Sequence, residues 1–312
     1  MQQLLYPFPD GMSPYADTLE SQIRQWIYQD YDYLPEKIKK KYEHTGVGYV
    51  GARLFPNSNY AGLLSICRFS LWAFINDDAY ESCNADQLKQ VRCQVMAALQ
   101  GKQNTGDEVM YTQLSLLREE LLRLTSPGWL QRFIVSIESY FTGMLAEIPY
   151  RTTMRYPGLG VYMAIREYAA CVYPLVDLVE LETGAILPDE VALHPVIREM
   201  GRLTCRIMAF CNDLYSAGLE DGKDVLNLVL VMRNELQCST EEAYSKALAI
   251  HNEDVQCFVA IKSCLPDFGS HNDAVRAFAD GIGLMIQGHL QWLDYSTQRY
   301  KKNGHPASDF RN

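Results

Sequence analysis

Apolar residues recur at helical spacing along nearly all of the 312 residues, and no two alternating runs are joined by an Asn-Gly or Asp-Gly turn. A chain patterned this way must build its core from helix faces, which predicts an all-α fold. Ser13-Pro14 sets an N-cap before a proline at the first helical position and predicts a helix to about residue 30. Ser126-Pro127 repeats the device ahead of a helix over 128–147. Further helices are predicted over 35–43, 60–83, 85–100, 107–124, 159–181, 189–217, 239–262 and 272–302, with Pro149, Pro157, Pro188 and Pro266 in the gaps. Pro174 lies inside one of these segments and strips the backbone donor that would serve residue 170, so the helix should kink or open near 169–173. Neither a Pro/Gly/Ser linker nor an internal repeat divides the chain, and residues 1–312 read as a single domain.

Two acidic clusters stand within this helical sequence, Asp77-Asp78-Ala79-Tyr80-Glu81 and Asn212-Asp213-Leu214-Tyr215-Ser216-Ala217-Gly218-Leu219-Glu220. Asp77 and Glu81 are four apart, as are Asn212, Ser216 and Glu220, and that interval aligns each set on one helix face. Such columns of hard oxygen ligands suit Mg²⁺, which keeps several waters and completes its shell with a few protein oxygens and substrate phosphates. A diphosphate is the natural guest. One such string by itself is usually a solvated helix face. Here both clusters follow apolar runs, 71–75 and 207–211, and charges at the mouth of an apolar cavity are costly unless paired or metal-bound.

Composition removes several alternatives. A net charge of -10 argues against nucleic acid as a partner, because phosphate backbones need a basic surface. Hydrophobic content of 48% with 21% charged residues describes a globular chain able to bury a sizeable core. Nine scattered cysteines without a CxxC pair read as buried free thiols in a reducing compartment. With no basic, apolar leader at the N-terminus and no run long enough to span a membrane, the expected location is the cytoplasm.

In combination these motifs make the chain resemble the bacterial class I terpene synthases, which ionise a linear prenyl diphosphate. Asp77-Asp78-Ala79-Tyr80-Glu81 matches the family's aspartate-rich motif, and Asn212, Asp213, Ser216 and Glu220 match its NDxxSxxxE motif. Arg166 stands forty-six residues before Asn212, where the family places a diphosphate-sensing arginine, and Pro174 follows at the helix break. Trp292-Leu293-Asp294-Tyr295-Ser296-Thr297-Gln298-Arg299-Tyr300 matches the closing Arg-Tyr signature. Weaker echoes are Tyr6-Pro7-Phe8-Pro9 with Trp26, and Asn227-Leu228-Val229. The resemblance spans essentially the whole chain.

That resemblance implies an antiparallel helical bundle and a cyclase acting on farnesyl diphosphate, with geranylgeranyl diphosphate as the alternative. It implies three Mg²⁺ ions, held by Asp77, Asp78 and Glu81 of the first motif and by Asn212, Ser216 and Glu220 of the second. Arg166, Arg299 and Tyr300 would donate to the diphosphate, and the Ala170 carbonyl would face the cavity at the break. Phe74, one turn before Asp77, and Trp292, two turns before Arg299, would offer ring faces to the carbocation. Phe210, Met208 and Tyr162 are poorer lining candidates. Two departures stand out: Leu219 replaces a basic residue that contacts diphosphate, leaving Lys223 as the substitute, and Ala169-Ala170 replace Asp-Gly. A chain-elongating prenyl synthase would instead show two DDxxD motifs, and a non-catalytic diphosphate-binding protein would not need complete ligand sets. The bundle could pair as a homodimer, but no seam marks an interface.

Overall fold

The computed structural model describes residues 4, 6–80, 83–102 and 109–301, and no strand occurs among them. The chain sorts into two compact units, residues 1–135, 178–186 and 280–312 in the first, 136–177 and 187–279 in the second. The helices in order are α1 Ala16–Gln29, α2 Glu36–Thr45, α3 Val47–Leu54, α4 Tyr60–Tyr80, α5 Ala85–Leu99, α6 Val109–Leu124 and α7 Pro127–Thr153, followed by α8 Leu159–Ala169, α9 Tyr173–Thr183, α10 Asp189–Ala192, α11 Pro195–Glu220, α12 Leu228–Leu236, α13 Thr240–Ser263 and α14 Asn272–Gln291. Among the described residues no helix is long and apolar enough to cross a membrane.

In the first unit α1 lies on α3 so closely that a Cβ at Gly48 would collide with the backbone of Leu19 and Glu20. Leu19, Ile23 and Ile27 recur at helical spacing on the buried face of α1. Phe69 of α4 stacks on Trp72 of the same helix and meets the edge of Phe133, whose ring stacks on Trp129. The second unit is organised by α11, whose buried face carries Ile207, Phe210 and Leu214. Arg206 on its flank donates to Asp254 of α13 at 2.9 Å. Gly143 lets α7 cross α8 against the backbone of Ala169.

Local chemistry explains most boundaries. Ser126 accepts from the Trp129 amide at 3.2 Å and starts α7 as its spacing predicts. Ser13 accepts from the Tyr15 amide, but Pro14 and Tyr15 form a turn and α1 begins only at Ala16. Pro149 lies within α7 rather than in a gap; its fixed φ is helical, and the bond it cannot return to the residue 145 carbonyl is the cost of continuing the helix to Thr153. The segment 189–217 divides at His194, which caps the helix starting at Pro195 and accepts from the Val196 amide at 3.2 Å. Helices α3 and α12 escape the sequence pattern because both are short and their apolar runs hide the period.

Residues 159–181 open where Pro174 predicts. α8 stops at Ala169, Cys171 takes a left-handed φ of 57°, and α9 resumes at Tyr173 with Pro174 in its first turn. The C-terminal segment differs more. α14 ends at Gln291, a π-helical turn covers Trp292–Ser296, and Thr297 is extended at φ -115° and ψ 150°. It leaves the helix because it is tied elsewhere: Trp292 Nε1 donates to the Thr45 carbonyl at 3.0 Å and the Gln298 amide donates to His44 at 2.9 Å. All nine cysteines are free; Cys67, Cys205 and Cys211 are buried as expected, whereas Cys93, Cys257 and Cys264 are exposed, the first two on polar faces of α5 and α13.

Candidate active site

The first motif occupies the last turn of α4. Asp77 is exposed, while Asp78 is 3% exposed and turned inward. Both Asp78 oxygens are engaged: Arg299 donates through Nη1 to Oδ2 at 3.0 Å and through Nη2 to Oδ1 at 2.7 Å, and the Tyr42 hydroxyl donates to Oδ2 at 2.9 Å. Such a forked pair is the strongest geometry available to a carboxylate. Burial works against the Arg299 charge, but Asp78 outweighs it and raises the guanidinium pKa. Asp78, expected among the metal ligands, is therefore the counter-ion that pins the C-terminal segment to α4. Glu81 lies outside the described residues.

Phe74 precedes Asp78 by one turn and shares its arginine, with the Arg299 guanidinium 5.0 Å from the ring centroid. Its ring also lies 5.8 Å from that of Trp292. Trp292 itself is buried against His289 and Tyr300. Within its own unit it is a packing hub, reached through the π-helical turn rather than along the continuous helix that the sequence suggests.

The second motif occupies the end of α11. Asp213 is buried, and Arg166 of α8 donates to its Oδ1 through Nε at 3.1 Å and Nη2 at 2.9 Å. Its Oδ2 accepts from the Tyr162 hydroxyl and, at 3.1 Å, from the Leu228 amide. Arg166 Nη2 also reaches the Asn212 side-chain oxygen at 3.2 Å, so the arginine expected to sense diphosphate touches the head of the expected ligand column. Burial opposes the Arg166 charge, yet Asp213 outweighs it, helped by Tyr162, Glu147 and Glu220, and holds the guanidinium pKa above its usual value. Tyr162, suggested as cavity lining, has its hydroxyl committed to Asp213. Phe210 and Met208 are buried.

Ser216 and Glu220 complete the column on α11. A residue noticed in the sequence only as an echo joins them: the buried Asn227 side chain donates from Nδ2 to Ser216 Oγ at 3.2 Å, to Glu220 Oε2 at 2.9 Å and to the Asp213 carbonyl at 2.9 Å. Its Oδ1 caps α12, accepting from the Val229 amide at 2.9 Å. Burial pushes the Glu220 carboxyl up to about 7, with Asp213 reinforcing the rise and Arg166 and Asn227 opposing it. Among the described residues no three His, Cys, Asp or Glu side chains gather as a metal centre. An amide, a hydroxyl and one carboxylate on a single face are nonetheless a hard-oxygen set, and a buried carboxylate is one that a divalent cation relieves. The residues present thus fit a metal of the Mg²⁺ type.

Lys223, the expected substitute for a basic residue at 219, is exposed on the turn after α11, where its amide donates to the Glu220 carbonyl at 2.8 Å. Ala170 caps α8 beside Arg166, its amide donating to the Arg166 carbonyl at 3.2 Å. Pro174 has no N–H to return to the Ala170 carbonyl, which is the condition for that oxygen to turn elsewhere.

The chain is similar to several known proteins. The chain is 28% identical over 307 residues to a germacrene A synthase of Nostoc punctiforme, covering 95% of this chain and 94% of that protein. It is 28% identical over 298 residues to a (+)-T-muurolol synthase of Roseiflexus castenholzii described as cyclising (2E,6E)-farnesyl diphosphate, covering 93% and 91%. In fold it resembles the 2-methylisoborneol synthase of Streptomyces coelicolor, solved with Mg²⁺ and 2-fluoroneryl diphosphate, with a TM-score of 0.83 at 20% identity over 96% of each chain. Germacradien-4-ol synthase of Streptomyces citricolor superimposes with a TM-score of 0.81 at 20% identity, covering 94% of this chain and 98% of that one. Residues 68–256, which include both acidic motifs, match the model of terpene synthase family 2, C-terminal metal binding; the chain belongs to that family and is a terpene cyclase of the bacterial class I type.

Proposed function

We propose that the protein is a Mg²⁺-dependent sesquiterpene cyclase that ionises farnesyl diphosphate, with residues 1–312 acting as one catalytic domain. The observation that carries this reading is Arg166, which is anchored on buried Asp213 and extends to Asn212 at the head of the Ser216–Glu220 column. Farnesyl diphosphate is favoured by the T-muurolol relative, and the one-domain reading by relatives matched over 94% and 91% of their length.

In this reading Asp77 and Glu81 of the first motif and Asn212, Ser216 and Glu220 of the second would hold the three Mg²⁺ ions that the family resemblance implies. The metal supplies positive charge that stabilises the departing diphosphate. Arg166 adds hydrogen bonds that strengthen as negative charge collects on the leaving oxygens, which is where preferential stabilisation lowers the barrier. Asp213, Tyr162 and the Leu228 amide keep the guanidinium aimed, so little reorganisation accompanies ionisation. Arg299 and Tyr300 serve the diphosphate from the C-terminal segment, Arg299 by exchanging Asp78 for it, and Lys223 adds charge at the rim. Phe74 and Trp292 offer ring faces to the allylic cation. The Ala170 carbonyl supplies a dipole at the helix break.

The test is incubation of purified protein with farnesyl and geranylgeranyl diphosphates, with and without Mg²⁺, while diphosphate and volatile hydrocarbons are measured. Cyclic fifteen-carbon products that disappear in EDTA are expected. Turnover in EDTA, or consumption of the twenty-carbon substrate alone, overturns the reading.

A further inference from the structure

Asn227 stands where the loop after α11 enters α12, and nothing of it is exposed. Its two ends do different work. Oδ1 accepts from the Val229 amide at 2.9 Å and is the N-cap of α12, so this orientation of the amide is set by the cap and leaves Nδ2 pointing at α11. Nδ2 carries two hydrogens and meets three acceptors. The Asp213 carbonyl and Glu220 Oε2, both at 2.9 Å, have the shorter contacts, and Ser216 Oγ at 3.2 Å has the longer one. Ser216 thus stays close to its donor while keeping lone pairs for another partner.

From this geometry we infer that Asn227 is a positioning residue for the second ligand set: its amide gathers Ser216 Oγ and Glu220 Oε2 for a divalent cation and joins them to the arginine side of the site. The link to that side is covalent and short. Leu228, the next residue, donates its amide to Asp213 Oδ2 at 3.1 Å, and Asp213 holds Arg166. The loop is braced from its other end by Asp224, whose Oδ1 accepts from the Val225 amide at 2.6 Å and the Leu226 amide at 3.0 Å. A neutral donor is the right chemistry at 227, since it steadies a carboxylate without competing for the cation as a second carboxylate would. Hydrogen-bond partners of metal ligands fix ligand orientation, and their removal costs metal affinity by a factor of about 10–100.

This inference rests on the proposed ligand set, and the experiment separates the two. Mn²⁺ uptake by the full chain, in the presence of inorganic diphosphate, is followed by the electron paramagnetic resonance signal of free Mn²⁺ for wild type, Asn227→Ser and Ser239→Ala. Serine keeps a good cap for α12 but is too short to reach Glu220. Ser239→Ala removes the cap of α13, whose hydroxyl accepts from the Glu242 amide at 3.2 Å, and controls for lost helix stability. The expected result is Mn²⁺ affinity about 10-fold or more weaker in Asn227→Ser and unchanged in Ser239→Ala. If Asn227→Ser fails to fold, Asn227→Thr, which also keeps a cap for α12 and is likewise too short to reach Glu220, should show the same loss. Wild-type affinity in the folded position-227 variant, or equal losses at 227 and 239, overturns the positioning role alone. A wild type that takes up no Mn²⁺ overturns the ligand set and the inference with it.

Discussion

The two acidic motifs are built on the same device and use it differently. In each, the second residue is a buried aspartate that accepts from one arginine and one tyrosine hydroxyl: Asp78 with Arg299 and Tyr42, Asp213 with Arg166 and Tyr162. Arg299 comes from 221 residues away, its side chain is 4% exposed, and its fork is spent on Asp78 with its face over Phe74. Arg166 comes from 47 residues away, is 16% exposed, and divides itself between Asp213 and Asn212. A guanidinium whose fork lies on its counter-ion holds a chain segment in place and must give up that pair to reach a diphosphate. One that is anchored at one edge and also reaches Asn212 could, on the proposed function, meet the substrate without giving up its anchor.

The comparison breaks most visibly in stability. Arg299→Ala leaves Asp78 buried with only the Tyr42 hydroxyl and should cost about 3–5 kcal/mol in denaturant unfolding. Arg166→Ala leaves Asp213 with two donors, Tyr162 and the Leu228 amide, so its cost should be smaller by about one hydrogen bond to a charged group, 1.5–3 kcal/mol. Equal losses would show that the two pairs do the same job.

A smaller effect comes from a carboxyl in the first unit that lacks an arginine of this kind. Glu182 is 9% exposed, its Oε1 accepts from the Asn57 amide at 3.0 Å, and burial pushes its pKa up to about 7 from 4.5. Between those values the folded chain holds a proton that the unfolded chain has lost, so the stability due to Glu182 is present below the lower value and is lost as pH rises towards the upper. At about 1.36 kcal/mol per pH unit this amounts to about 3 kcal/mol. The unfolding free energy measured from pH 4.5 to 8 should fall by that much more in wild type than in Glu182→Gln; parallel curves would refute it.

The smallest expected effect separates the ring faces. Phe74→Leu removes the face beneath Arg299 and should cost about 0.5–2 kcal/mol of stability. If the same ring also meets the carbocation, the variant should still release diphosphate but shift its hydrocarbons towards earlier-deprotonated products. An unchanged product profile would restrict Phe74 to holding Arg299.

Much of this was legible in the sequence where the signal is local. The cap at Ser126, the break before Pro174 and the four-residue interval of Asn212, Ser216 and Glu220 all act within a turn or two of helix. The assignment of Asp78 as a counter-ion was not legible, because adjacent aspartates look alike until the fold brings one of them to Arg299. Asn227 was hidden for a similar reason: its cap is local, but its contacts with Ser216 and Glu220 depend on how the loop returns to α11. The C-terminal segment keeps its helical pattern past Gln291 and leaves the helix only because Thr45 and His44 capture Trp292 and Gln298.

The most direct test of Arg166 as the group that drives ionisation is single-turnover release of diphosphate from farnesyl diphosphate, with Mg²⁺ saturating, for wild type and Arg166→Lys at equal folded protein. Lysine keeps the charge facing Asp213 but loses the fork that spans Asp213 and Asn212. The predicted result is release slowed by about 10²–10³-fold with substrate affinity nearly unchanged. Release at the wild-type rate accompanied only by weaker substrate binding would contradict it.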